Sequence, residues 1–220
     1  MIKSSVAILR KEITQELRTK YAFNTLLAFT GASLLLILFT LRAQQLNPTP
    51  KSGLVWIIIL FAAMTGMMRS FVQETEKKTW ALLQLHASPA EVYTGKLIYN
   101  FLFLLVLHIF TFFFYILMMD LPITSPGFLG LSILFGSLGL ASVTTMISAM
   151  IARADRKGAV FSVLCIPLLV PLLLILTRIT TMALIDGPDG STWNDIAALV
   201  GYCGTTITAG ILLFDFIWED

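Results

Sequence analysis

Charge is scarce in this sequence. Asp, Glu, Lys and Arg make up 13% of its 220 residues, against about a quarter in soluble globular domains. With 57% hydrophobic residues, a water-soluble fold would expose more apolar surface than its charged groups could break up. The net charge of +2 is too small to mark nucleic acid as a partner. Cysteine is confined to Cys165 and Cys203, both inside apolar runs, which excludes a disulfide framework and reads as two small buried hydrophobes. There is no phosphate-binding loop: Gly95-Lys96 is followed by Leu97 and lacks the upstream glycine, so ATP hydrolysis by that route is excluded. H-E-x-x-H, C-x-x-C and G-x-S-x-G are absent as well, and no catalytic or metal centre is expected. Ionisable groups are nearly missing from the apolar runs, which argues against a proton-coupled transporter, and no inverted repeat is visible.

What is present is a series of long apolar segments. A helix needs about 20 apolar residues to cross a bilayer. Six segments qualify: Tyr21–Leu41, Leu54–Val72, Leu97–Met119, Phe128–Ile151, Ala159–Met182 and Ile196–Trp218. The first is too long for the core of a signal peptide and has no small-residue cleavage site after it. Lys3, Arg10, Lys11, Arg18 and Lys20 precede the first segment; Arg69, Lys77, Lys78 and Lys96 lie between the second and third; Arg153, Arg156 and Lys157 lie between the fourth and fifth. The opposite side holds Arg42, Lys51 and Arg178. The positive-inside rule therefore predicts cytoplasmic N- and C-termini. Trp56 and Trp193 at outer ends and Trp80 and Trp218 at inner ends read as an aromatic belt.

Residues 1–20 have Ile2, Val6, Leu9, Ile13 and Leu17 at helical spacing, with charged residues opposite. This predicts an amphipathic helix lying at the membrane surface and setting the entry angle of the first span. The reading is an all-α membrane protein in two parts, the interfacial helix at 1–20 and a six-helix transmembrane domain at 21–220. Between the second and third spans, a helix is expected over Gln73–His86, then a break, then a helix capped by Ser88 with Pro89 at its first position and Glu91 completing a capping box. This elbow, at about 70–96, is longer than the roughly 2–8 residues a bundle connection needs. Asn47-Pro48-Thr49-Pro50 reads as a stiff turn, and Asp186–Gly190 as a turn with Ser191 or Thr192 as the next cap. The fourth span is rich in Gly and Ser, which suits close helix packing in the chain or a seam between two chains. Pro167 and Pro171 mark a kink and a candidate hinge in the fifth. His108 is the one midmembrane candidate ligand for haem, although a hydrogen bond to a neighbouring helix is the commoner role. Asp215 reads as a partner for an inner-loop cation such as Arg153.

The stretches Ser70-Phe71-Val72-Gln73-Glu74-Thr75-Glu76, Trp80-Ala81-Leu82-Leu83-Gln84-Leu85 with Ser88-Pro89, Arg156-Lys157-Gly158-Ala159-Val160, and Ile166-Pro167-Leu168-Leu169-Val170-Pro171-Leu172 resemble the haem exporter protein B family (CcmB). The twin-proline span is the most specific of them. The resemblance extends over essentially the whole chain and implies the membrane subunit of an ABC-2 type exporter. In that family the elbow serves as a coupling helix for a separate cytoplasmic ATPase subunit, which binds the ATP. The resemblance carries docking to Glu74, Glu76, Thr79, Leu82, Leu83, His86, Ser88 and Pro89, and to Arg153, Asp155 and Arg156. It implies a haem-handling membrane subunit and a haem chaperone as further partners, two copies per complex, and the cell inner membrane as location. The preferred mechanism couples ATP hydrolysis to release of the haem-loaded chaperone; its rival is passage of haem itself. The alternative function is an ABC-2 permease for a lipid, drug or polysaccharide.

Overall fold

A computed structural model describes residues 2–40, 48–152, 157–187 and 189–219. Among these, every regular element is a helix: α1 Ile2–Thr19, α2 Tyr21–Thr40, α3 Pro48–Met67, α4 Arg69–Glu76, α5 Trp80–His86, α6 Pro89–Met119, α7 Pro126–Ile151, α8 Lys157–Thr181 and α9 Thr192–Glu219, with a π-helical turn over Met182–Asp186 between the last two. Six stretches are long and apolar enough to cross a membrane, the second of them running through α3 and α4 as Pro50–Glu76.

The bundle is built around α7, which packs on α3, α4, α6, α8 and α9. Small residues make this possible. Ser132, Ser137, Ser142 and Ser148 are buried, and a Cβ at Gly136 would collide with the Trp56 ring. The middle of this small-residue stripe is thus consumed by packing within the chain. In a medium as apolar as the side chains, van der Waals contact and hydrogen bonds between helices replace the hydrophobic effect as the cohesive force. Two bonds of this kind are Ser142 Oγ to Thr206 Oγ1 at 2.8 Å and Asn100 Nδ2 to Thr145 Oγ1 at 2.7 Å.

Four local expectations change. Pro48, Thr49 and Pro50 form the first turn of α3 rather than a turn before it, because an N-terminal turn needs no N–H from proline. Trp56 consequently lies about 12 Å into α3 at 1.5 Å per residue. It is buried, with its indole N–H donating to Thr180 Oγ1 at 2.9 Å, so it belongs to the bundle interior and not to a belt. The helix expected over Gln73–His86 is two helices, α4 and α5, broken where Lys78 takes φ +55°. The cap of α9 is Asp189: its Oδ1 accepts from the backbone N–H and the hydroxyl of both Ser191 and Thr192 at 2.7–3.0 Å. The Ser191 hydroxyl leads in holding this carboxyl below the ordinary aspartate range.

Candidate functional site: an elbow fastened to the bundle

The elbow is α4, a three-residue turn, α5, and the start of α6. Its break has a definite cause. Glu74 points inward and is 4% exposed; its Oε1 lies 3.0 Å from Lys96 Nζ and 2.6 Å from Lys11 Nζ. The other carboxylate oxygen accepts the Thr79 hydroxyl, and the Thr79 N–H donates to the Glu74 carbonyl at 2.9 Å. Those bonds draw the chain back across the end of α4 and leave Lys78 in the left-handed region. Beyond the turn, Trp80 is buried against Phe71, Phe214 and Trp218, with ring centroids 5.4 Å from Trp218. Gln84 Nε2 donates to the Trp218 carbonyl at 2.8 Å. The back of α5 is therefore bound to the end of α9. Ser88 then takes extended backbone, and its N–H donates to Glu91 Oε2 at 3.0 Å, closing the entry to α6.

The residues singled out for docking fall into three groups. Glu76, Leu82, His86 and Ser88 are exposed, with Leu83 and Pro89 half-buried beside them; Leu82 is 58% exposed and His86 Nδ1 lies 2.9 Å from the Leu82 carbonyl. Glu74 and Thr79 are bound to each other inside the elbow, so neither offers a free contact surface: burial beside Lys96 requires the carboxylate to face it. Arg153, Asp155 and Arg156 lie outside the described residues, and their docking role rests on the resemblance alone. Sequence reasoning passed over Leu85, which at 78% is the most exposed large apolar residue of the elbow; its spacing of three from Leu82 on a helix was the available signal.

His108 is fully buried at the middle of α6. Trp56 stands edge-on to its ring at 5.7 Å, and its Nδ1 is 2.6 Å from Ser137 Oγ. Ser137 donates its own hydrogen to the Ile133 carbonyl at 2.7 Å, so it accepts from Nδ1–H. Nε2 is left buried with no hydrogen-bond partner among the described residues. Pro167 and Pro171 face outward on a helix that continues through them. The Tyr202 hydroxyl of α9 donates to the Leu168 carbonyl at 2.5 Å in that stretch. Asp215 is exposed.

A family model described as CcmB protein matches residues 3–185 of this chain. The chain belongs to the CcmB family. A comparison with curated proteins finds no match. CcmB membership makes the chain a membrane subunit of a haem-export ABC system of cytochrome c maturation. The match takes in α1 from Lys3, the whole elbow, both prolines of α8 and the π-helical turn as far as Ile185; α9, which anchors the back of α5 through Trp218 and Gln84, lies beyond it.

Proposed function

We propose that this chain is the non-catalytic subunit through which a separate cytoplasmic ATPase subunit drives release of the haem-loaded chaperone. It acts in the inner membrane, in two copies, with both termini cytoplasmic. The observation that carries this reading is the outer face of α5. Leu82, Leu85 and His86 project from a helix held from behind by Trp80 and Gln84 and fixed at both ends by Glu74 and Ser88. An apolar knob on a rigid, capped support is the form a mechanical contact needs, since a soft support would absorb displacement. Glu76, Leu83, Ser88 and Pro89 border it, and the family resemblance adds Arg153, Asp155 and Arg156 to the docking set. Glu74 and Thr79 hold the elbow in shape rather than touch the ATPase.

Release, rather than passage of haem through this subunit, is favoured by the midplane. The candidate haem ligand there, His108, is fully buried against Trp56, with one nitrogen held by Ser137. The distribution of Lys and Arg supports the orientation.

The test is gentle purification of the tagged chain from membranes, with identification of its companions. The wild-type chain should bring an ATPase subunit and cytochrome c maturation proteins. Leu82→Asp/Leu85→Asp should lose the ATPase subunit while the chain keeps its thermal stability, because both side chains are exposed. An ATPase without maturation proteins would point to another cargo, and no ATPase at all would overturn the reading.

A further inference from the structure

The N-terminal helix is attached to the elbow by charge. Of the apolar residues along α1, Ile8 is buried, while Val6, Ile13 and Leu17 are exposed at 54%, 37% and 66%. A cleft of about 900 Å³ separates part of α1 from α2 and α4. Among the described side chains, apolar burial on α1 is thus confined to the turn around Ile8, with Leu9 half-buried beside it. The rest is held by Lys96, 1% exposed, whose ammonium donates to Glu12 Oε1 at 2.7 Å, Ser70 O at 2.7 Å and Glu74 Oε1 at 3.0 Å. All three of its hydrogens are used. Lys11 adds a second bond from α1 to Glu74 at 2.6 Å, and Gln15 Nε2 bonds Gln73 Oε1 at 3.1 Å. Two cations and two carboxylates balance. Beside them the α1 backbone comes so close to Gly95 that a Cβ there would lie 2.9 Å from the Ser5 carbonyl, and Ser5 Oγ meets Thr94 Oγ1 at 3.1 Å.

The far end of α1 is just as firmly joined. Lys20 alone stands between α1 and α2, and Glu16, one turn after Glu12, accepts the Phe23 N–H at 2.9 Å and so caps α2. A continuous chain of bonds thus runs from the elbow through Lys96 and Glu12 to α1, and through Glu16 to α2.

We infer that α1 and the elbow form one lever, with Lys96 as the positioning residue that clasps them, so that displacement of the elbow reaches α2 as well as α6. Resting on the proposed coupling role, this gives α1 a task beyond anchoring: it is a second output of the elbow. Separating α1 from α4 and α6 would take Glu12 from Lys96 and Lys11 from Glu74, leaving the buried Lys96 with one carboxylate, which is disfavoured.

The experiment is a disulfide lock, Ser5→Cys/Thr94→Cys, in the complex with its ATPase subunit; Cys165 and Cys203 are buried and do not compete. The lever predicts that cross-linking proceeds at the same rate with and without a non-hydrolysable ATP analogue, and that the locked complex still releases chaperone. A rate that falls with nucleotide, or a locked complex that fails, would overturn it, because α1 would then have to part from α6. In the same background Lys96→Met should slow cross-linking by about tenfold or more, as expected when buried carboxylates lose their partner, and should abolish ATP-driven release while the ATPase subunit still co-purifies. Unchanged cross-linking in Lys96→Met would show that the clasp does not hold α1. Should the ATPase subunit fail to co-purify even with the wild-type chain, the coupling reading falls, and the cross-linking rate alone still decides whether Lys96 fastens α1 to α6.

Discussion

Two buried basic side chains on α6, Lys96 and His108, lie twelve positions apart, about 18 Å along the helix, and are treated in opposite ways. Lys96 is near the end where α1 and the elbow meet, and all three of its hydrogens find oxygen. His108 is at mid-bundle, with one nitrogen bonded and the other bare. The contrast follows from the cost of burial. A charge must be fully matched or it is not tolerated, and full matching draws groups from several elements into one place. A neutral imidazole costs far less, so one partner from one neighbouring helix suffices. The charged site therefore organises its surroundings, whereas the histidine fits into an arrangement that α3 and α7 already make.

Breaking the first site should have the larger effect. Lys96→Met leaves Lys11 as the one cation shared by Glu12, at 3.7 Å, and Glu74, at 2.6 Å, and should cost about 3–5 kcal/mol, read as thermal unfolding in detergent. A loss under about 1 kcal/mol would mean that water in the adjoining cleft already carries most of the charge. His108→Leu sharpens the contrast. It removes one hydrogen bond worth about 1 kcal/mol but also an unpaired buried nitrogen, so stability should change by no more than about 1 kcal/mol; a larger loss would assign the bare nitrogen a partner. Smallest is the effect at the opposite end of the bundle, at the Asp189 cap. Its folded carboxyl titrates below the ordinary aspartate value, so its contribution is complete above about pH 3.9 and is lost as pH falls through the lower, folded value. Fraying of α9 on acidification, followed by amide hydrogen exchange at Ser191 and Thr192, should vanish in Asp189→Ala.

The same contrast governs what could be read in advance. Apolar runs of about 20 residues have one solution in lipid, so the six spans were legible, as was the elbow with its Ser88 cap. Lys96 reads as a loop charge because a lysine seven residues into a helix that starts at Pro89 looks solvated until Glu12 and Glu74 are brought to it from other elements. The break after α4 was hidden for the same reason: no Gly or Pro stands at Lys78, and the turn is made by Thr79 bonding Glu74, which is itself held by a distant lysine. A span begun at Leu54 puts Trp56 at its end, whereas α3 begins at Pro48 and carries Trp56 into the bundle. Leu85 is signalled by its spacing of three from Leu82, on a helix too short for that periodicity to stand out. For Lys96 and for the break after α4, what hides the feature is a contact between residues far apart in the chain.

One contact restricts how the last span can respond to the elbow. In α9, any Cβ at Gly210 would occupy the space of the Tyr93 phenol, which is buried at the start of α6. With 3.6 residues to a turn, a twist of one residue would bring Ala209 or Ile211 into that space. Rotation of α9 about its own axis is therefore blocked at this level, as by a key in its slot. A push arriving through α5 and Trp218 therefore cannot turn α9 about its axis without displacing Tyr93.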